Sequence, residues 1–214
     1  MEHRTLKSRR KREKKEKYRK IILLAIFCLF VLISGKWVVS SLTTAWQLNK
    51  LEEAKLPDWV DVQIIDVDGE SRRGQKLEGI NDIVIHYVGN PGTTAQQNHD
   101  YYCNPDSKVS SHFVIGLDGE IIQCVPLNEK SSASNWRNSD TISIEVCHPD
   151  KTGKFTEKSY ASLVKLTAWL GKLCNLDANH VIRHYDITGK KCPLYFVEHE
   201  DKWAQFKEDV TNSY

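Results

Sequence analysis

The sequence holds no internal repeat and no low-complexity tract beyond its first twenty residues. That excludes a solenoid or an array, which shows self-similarity at a fixed period. No charged residue falls between Ile21 and Gly35, and the chain after residue 20 carries no basic surplus. Residues 1–20 hold eleven Lys and Arg against three Glu. Taken from totals of 30 and 28, these leave 19 basic and 25 acidic residues for 21–214, a net of −6. The overall charge of +2 therefore belongs to a tail. A nucleic-acid partner is set aside, because that tail abuts an apolar run rather than lying on a folded face. With 214 residues the chain can fill one core and carry extras.

The apolar run is "IILLAIFCLFVLISGKWVVS", Ile21–Ser40. A hydrocarbon core of about 30 Å needs roughly 20 helical residues. Residues 21–40 thus read as a short transmembrane signal-anchor, with Lys36 snorkelling outward and Trp37 at the outer interface. The run is apolar on every side, unlike an ordinary core helix beside solvent. Positive charge stays on the cytoplasmic side. Residues 1–20 are then a cytoplasmic tail, and everything after about residue 40 is extracellular. A cleaved secretory signal is the rival reading, with "TTA" before Trp46 as the small-residue site near Ala45. Both readings export the domain. Residues 41–55 are polar and helix-prone and read as a linker, which leaves 56–214 as the compact domain.

Outside a membrane, disulfides are permitted. Five cysteines lie there: Cys103, Cys124, Cys147, Cys174 and Cys192. The odd count leaves four, with three possible pairings, if one thiol serves a metal. Free thiols are the alternative.

"DIVIHYV", Asp82–Val88, alternates and is β-branched, which predicts a strand. Thr94–Tyr102 reads as a helix. His112–Val125 reads as a hairpin turning at Asp118-Gly119. Thr141–His148 is a further strand, whose parity puts Ile142, Ile144 and Val146 on one face and Ser143, Glu145 and Cys147 on the other. Ser159–Cys174 has helical spacing of apolar residues. A closing helix is expected over Val197–Val210, with Val197, Trp203, Phe206 and Val210 inward. Strands and helices interleave, so the fold class is mixed α/β around one sheet.

"HYDITGKKC" gathers His184, Lys190 and Cys192 in one short loop. Imidazole nitrogen and thiolate sulfur are zinc ligands, and a catalytic zinc takes three protein ligands and keeps one open position. His86, in mid-strand just before a Gly/Pro-containing loop, is the best-placed third ligand; alone it is equally a hydrogen-bonded core histidine. Glu145, one acid in an otherwise apolar strand, is the candidate proton acceptor; alone it is equally a solvated edge residue. Lys190 is the candidate cation for a developing oxyanion, or else an ordinary loop lysine.

Together these stretches, "IVIHYVGNPGTTA", "SSHFVIGLDGEIIQCVP", "SNWRNSDTISIEVCHP" and "VIRHYDITGKKCP", resemble the zinc-dependent N-acetylmuramoyl-L-alanine amidases of type 2. That superfamily includes phage lysozyme-like amidases and peptidoglycan recognition proteins. The resemblance runs from about Ile83 to Val210, and within the family it is to the short amidases of Gram-positive bacteria. It implies a central mixed β-sheet flanked by helices. It also implies zinc held by His86, His184 and Cys192, water activated by Glu145, and an oxyanion stabilised by Lys190. The implied reaction is hydrolysis of the amide between the lactyl carbonyl of N-acetylmuramic acid and L-alanine of peptidoglycan. Some members have a tyrosine just before the histidine of "HF"; Ser111 stands there, so the base role falls to Glu145. His112 is expected to be structural. Asn135 and Trp136 lie along the family's substrate groove, although Trp136 suits a core equally. The implied partners are peptidoglycan and the membrane, with the chain a monomer. The alternatives are a non-catalytic peptidoglycan-binding module of this fold, a hydrolase with Cys192 or Cys147 as nucleophile, and a membrane-tethered structural protein.

Overall fold

The computed structural model describes residues 2–67 and 69–214, and the side chains of all of these except residues 2–13, Lys36, Trp37 and Pro105. The placements expected for the Lys36 and Trp37 side chains lie outside the described residues. The chain divides into two units, ending and beginning at Thr43 and Thr44. The first is helical, part of α1 (Glu2–Glu52). Its apolar side chains from Ile21 to Ile33 are exposed, and the helix is long and apolar enough to cross a bilayer.

In the second unit, residues 44–52 complete α1 and pack on the domain. Leu48 and Leu51, three apart, share one helix face, and Leu51 is buried in the core. Gln47 Nε2 donates to the Cys174 carbonyl at 3.2 Å. The expected linker, 41–55, is thus helical through Glu52, and compact structure starts ahead of residue 56. A polar composition hid one short apolar stripe.

Six strands form one sheet: β1 (Asp61–Val62), β2 (Asp82–Tyr87), β3 (Phe113–Ile115), β4 (Ile121–Gln123), β5 (Thr141–Val146) and β6 (Val181–Arg183). Their order is β1-β4-β3-β5-β2-β6, parallel except at the β3–β4 hairpin. This is the expected mixed sheet. The consecutive apolar residues Ile83, Val84 and Ile85 of β2, all buried, suit a central parallel strand covered on both faces. The parity of β5 holds. Ile142, Ile144 and Val146 join Ile83, Ile85 and Phe113 in the larger core, while Cys147 lies in a smaller one with Val114, Ile122 and Cys124.

The helices cover the two faces. α2 (Ala95–Tyr102) lies on the smaller core, started by a Thr94–Gln97 capping box. α3 (Glu157–Cys174) lies on the larger, and Leu163, Leu166 and Leu170 point inward. It begins two residues before its expected start because Thr156 Oγ1 accepts the Ser159 N–H at 3.0 Å. The closing helix is broken, in contrast to the expected continuous one. α4 (His184–Thr188) is followed by α5 (Leu194–Glu198) and α6 (Glu200–Asn212), and His199 sits at the break with φ −132°. The turn sends Phe196 into the core against Phe155, Trp203 and Phe206, and leaves Val197 half-buried. Cys124, Cys147, Cys174 and Cys192 are buried free thiols. Cys174 packs on the sheet face opposite Cys124 and Cys147.

Candidate metal centre

The loop after β6 is shaped by its own side chains. Asp186 accepts the Arg183 N–H at 2.8 Å and also binds its guanidinium, and the guanidinium reaches the Phe196 carbonyl and Glu200. This pins the corner at which β6 becomes α4, with His184 as the first helical residue. Gly189 ends the helix at φ +76°, where a side chain would be strained, and donates to the Tyr185 carbonyl. The chain then doubles back. Tyr185 N–H donates to the Cys192 carbonyl at 2.9 Å, which brings Cys192 alongside His184. The Cys192–Pro193 peptide is cis.

His86 meets this pair from β2. In the parallel register it lies beside Glu145 of β5, so both side chains leave the same sheet face near the strands' carboxyl ends. Crevices at carboxyl ends are where open parallel sheets bind ligands. The His86 and His184 rings are 4.7 Å apart, and Cys192 Sγ is 3.8 Å from His86 Nδ1. One ligand atom from each of the three residues lies within 4.8 Å of the others. Glu145 Oε1 is 3.8 Å from the same Nδ1. Its Oε2 is buried with no hydrogen-bond partner.

These residues line a cleft of about 760 Å³ that also takes in Lys190, Tyr102, Asn98, Tyr101 and Val109. Glu145 is the one carboxylate among its lining residues. Trp136 stands outside that lining and is 69% exposed, so it is no core residue. Asn135 turns its Oδ1 to His184 Nε2 at 2.9 Å. His112 is fully buried, as a structural residue should be, between the Ser143 N–H and the Glu129 carbonyl. No motif or spacing points to Ser134, a buried serine whose Oγ is 3.2 Å from His86 Nε2. A polar loop cluster marks a turn, and only the fold shows which ring it meets.

The family model for N-acetylmuramoyl-L-alanine amidases matches residues 76–194, more than half of the chain. The chain belongs to the N-acetylmuramoyl-L-alanine amidase family. Among the relatives of this amidase-family chain are the amidase BlyA of Bacillus subtilis (strain 168), 31% identical over 167 residues, and the amidase CwlL of Bacillus licheniformis, 28% identical over 163 residues. Each match covers 68% of this chain and 45% of the relative, so the chain spans less than half the length of these curated proteins. Two solved structures share the fold at a TM-score of 0.62. They are a mutant endolysin from Bacillus subtilis (30% identity) and the catalytic domain of XlyA (29% identity). Each covers 71% of this chain, which in turn covers 97% and 98% of those structures.

The donor set in this amidase-family domain fits a zinc ion. Burial, then His184, then Lys190 hold the His86 imidazole well below its usual range, so it is neutral and keeps a lone pair. Burial likewise lowers His184. Burial pushes the Cys192 thiol up to about 12, so the thiolate needs a cation at this spot. The 3.8 Å Sγ–Nδ1 distance is close to the edge of a tetrahedron built on bonds of about 2.0–2.3 Å. A cysteine nucleophile needs the opposite shift, toward a lowered pKa. Cys147 fails too: burial pushes it up to about 12, and its hydrogen-bond partner is the Asn98 amide at 3.5 Å.

Proposed function

We propose that this chain hydrolyses the amide between the lactyl carbonyl of N-acetylmuramic acid and the L-alanine of peptidoglycan. The observation that carries the reading is the convergence of His86, His184 and Cys192 beside a single carboxylate, in a chain of the amidase family. His86, His184 and Cys192 would hold a zinc ion, which would supply a Lewis acid and lower the pKa of a water. Glu145 takes the proton from the attacking water and later returns one to the departing alanine nitrogen. Without a metal, burial pushes its carboxyl up to about 8 with Lys190 pulling the other way; a zinc cation beside it would add to the downward pull and favour the carboxylate that can take a proton. Lys190 reaches the cleft from the loop and stabilises the charge that develops on the carbonyl oxygen. Trp136 offers an exposed indole face to the glycan or the peptide beyond the cleft.

All ligands and the carboxylate come from one chain, so a monomer suffices. Residues 1–20 remain in the cytoplasm, 21–40 span the membrane as an uncleaved anchor, and the domain works outside it, where its substrate is. Support for this topology is the apolar helix next to the basic tail.

The test is digestion of purified peptidoglycan by the full chain in detergent, with and without chelator. The expected product is stem peptide with a new L-alanine amino terminus, abolished by chelation. Glu145→Gln is expected to keep zinc and lose about 10²–10⁴ in rate. New reducing sugar ends in place of new amines, or full rate in Glu145→Gln, refutes the proposal.

A further inference from the structure

Both imidazoles of the candidate centre are met from behind by two consecutive residues of one loop. His86 Nε2 faces Ser134 Oγ at 3.2 Å, and His184 Nε2 faces Asn135 Oδ1 at 2.9 Å. On His86 it is the other nitrogen, Nδ1, that faces Cys192 and Glu145. An amide oxygen only accepts, so its partner Nε2 on His184 must carry the proton. The His184 lone pair is then on Nδ1.

The loop is held for this task. Asn138 Oδ1 accepts both the Ala133 N–H (3.1 Å) and the Ser134 N–H (2.6 Å). Arg137 joins the loop to Asp82, the first residue of the strand that carries His86, and to Asp140. Asn135 itself has φ +54°, a left-handed conformation that side chains other than asparagine and aspartate rarely adopt. That conformation costs free energy unless something needs it.

We infer that Ser134 and Asn135 act as a paired clamp that fixes both histidines as Nε2–H tautomers and aims both Nδ1 atoms at the metal. They are positioning residues and touch no reacting atom. The inference rests on the zinc-site reading above, and it changes the expected place of Asn135 from the substrate groove to the back of a ligand. Outer hydrogen bonds of this kind orient metal-bound imidazoles, and their loss typically weakens binding ten- to a hundredfold.

Two measurements on the full chain in detergent test it. One is zinc affinity by competition with a chromophoric chelator. The other is the tautomer of His86 and His184 in the metal-free chain, read from long-range proton–nitrogen NMR correlations. Glycine takes φ +54° without strain, so Asn135→Gly removes the acceptor and keeps the backbone. Asn135→Asp keeps both acceptor and conformation. Asn135→Gly and Ser134→Ala are each expected to bind zinc about 10- to 100-fold more weakly. Each is also expected to mix the tautomers of its own histidine, His184 or His86. Asn135→Asp should stay within about threefold of the original chain, well short of the loss of an outer-shell partner. Unchanged affinity and tautomers in Asn135→Gly, or equal weakening by Asn135→Asp, overturns the clamp while the metal site stands. An original chain that binds no zinc overturns both.

Discussion

Acid should unfold this protein partly through one histidine that lies away from the metal ligands. His112 is wholly enclosed, and both of its nitrogens are committed. Nδ1 accepts the Ser143 backbone N–H at 3.0 Å, and Nε2 donates to the Glu129 carbonyl at 2.9 Å. A second proton would have to go on Nδ1 and displace the Ser143 N–H. The charged groups nearby give little relief, because the Glu129 carboxylate is already paired with Arg72 at 2.8 Å. Burial dominates and lowers His112 from 6.5 to about 4, against a smaller upward pull from Glu129. Above pH 7 the ring is neutral in both folded and unfolded chains, and there is no penalty. Between pH 6.5 and pH 4 the unfolded chain binds a proton that the folded chain refuses, so stability falls as pH falls. At about 1.4 kcal/mol per pH unit of pKa difference, this one group removes roughly 2–3 kcal/mol by pH 4.5. The assay is urea unfolding of the full chain in non-ionic detergent, followed by tryptophan fluorescence, at pH 7.5 and pH 4.5. His112→Gln lowers stability at both pH values but should lose roughly 2–3 kcal/mol less than the original chain between them. Equal losses in the two chains would refute the assignment of His112 as a buried neutral ring.

Cys192→Ala should bind zinc at least about 100-fold more weakly, since a tight site cannot lose one of three protein ligands without cost; competition with a chelator measures it. Phe206→Ala should cost about 3–5 kcal/mol, because the ring is fully buried against Phe196 and Trp203; the urea midpoint reports it. Removal of residues 1–40 should move the protein from the membrane fraction to the soluble fraction, and fractionation followed by immunoblotting checks this.

Much of the centre was legible because strand parity is a strict rule. Once β5 is read as a strand, Ile142 and Ile144 place Glu145 on the opposite face, and the same alternation places His86 in β2. The adjacency of His184 and Cys192 could be read from a short loop with a glycine in it. What could not be read was contact across distance. Ser134 meets a ring 48 residues away, and Asn135 one 49 residues away, with no periodic pattern to announce either. The break at His199 was hidden because Val197 and Phe196 are both apolar neighbours, and only packing decides which one turns inward. Leu51 was missed for a related reason: two leucines in a polar stretch are too few to signal a buried face.

His86 and Cys192 are 106 positions apart along the chain. Nothing local can assemble this donor set, so it exists only once strand β2 and the β6 corner have docked. Whatever cation settles there is linked to global folding and acts as a cross-brace between early and late segments. At a free concentration a thousand times its dissociation constant, such an ion adds about 4 kcal/mol to stability. A copy starved of metal would thus lose that increment of resistance to unfolding and to proteases.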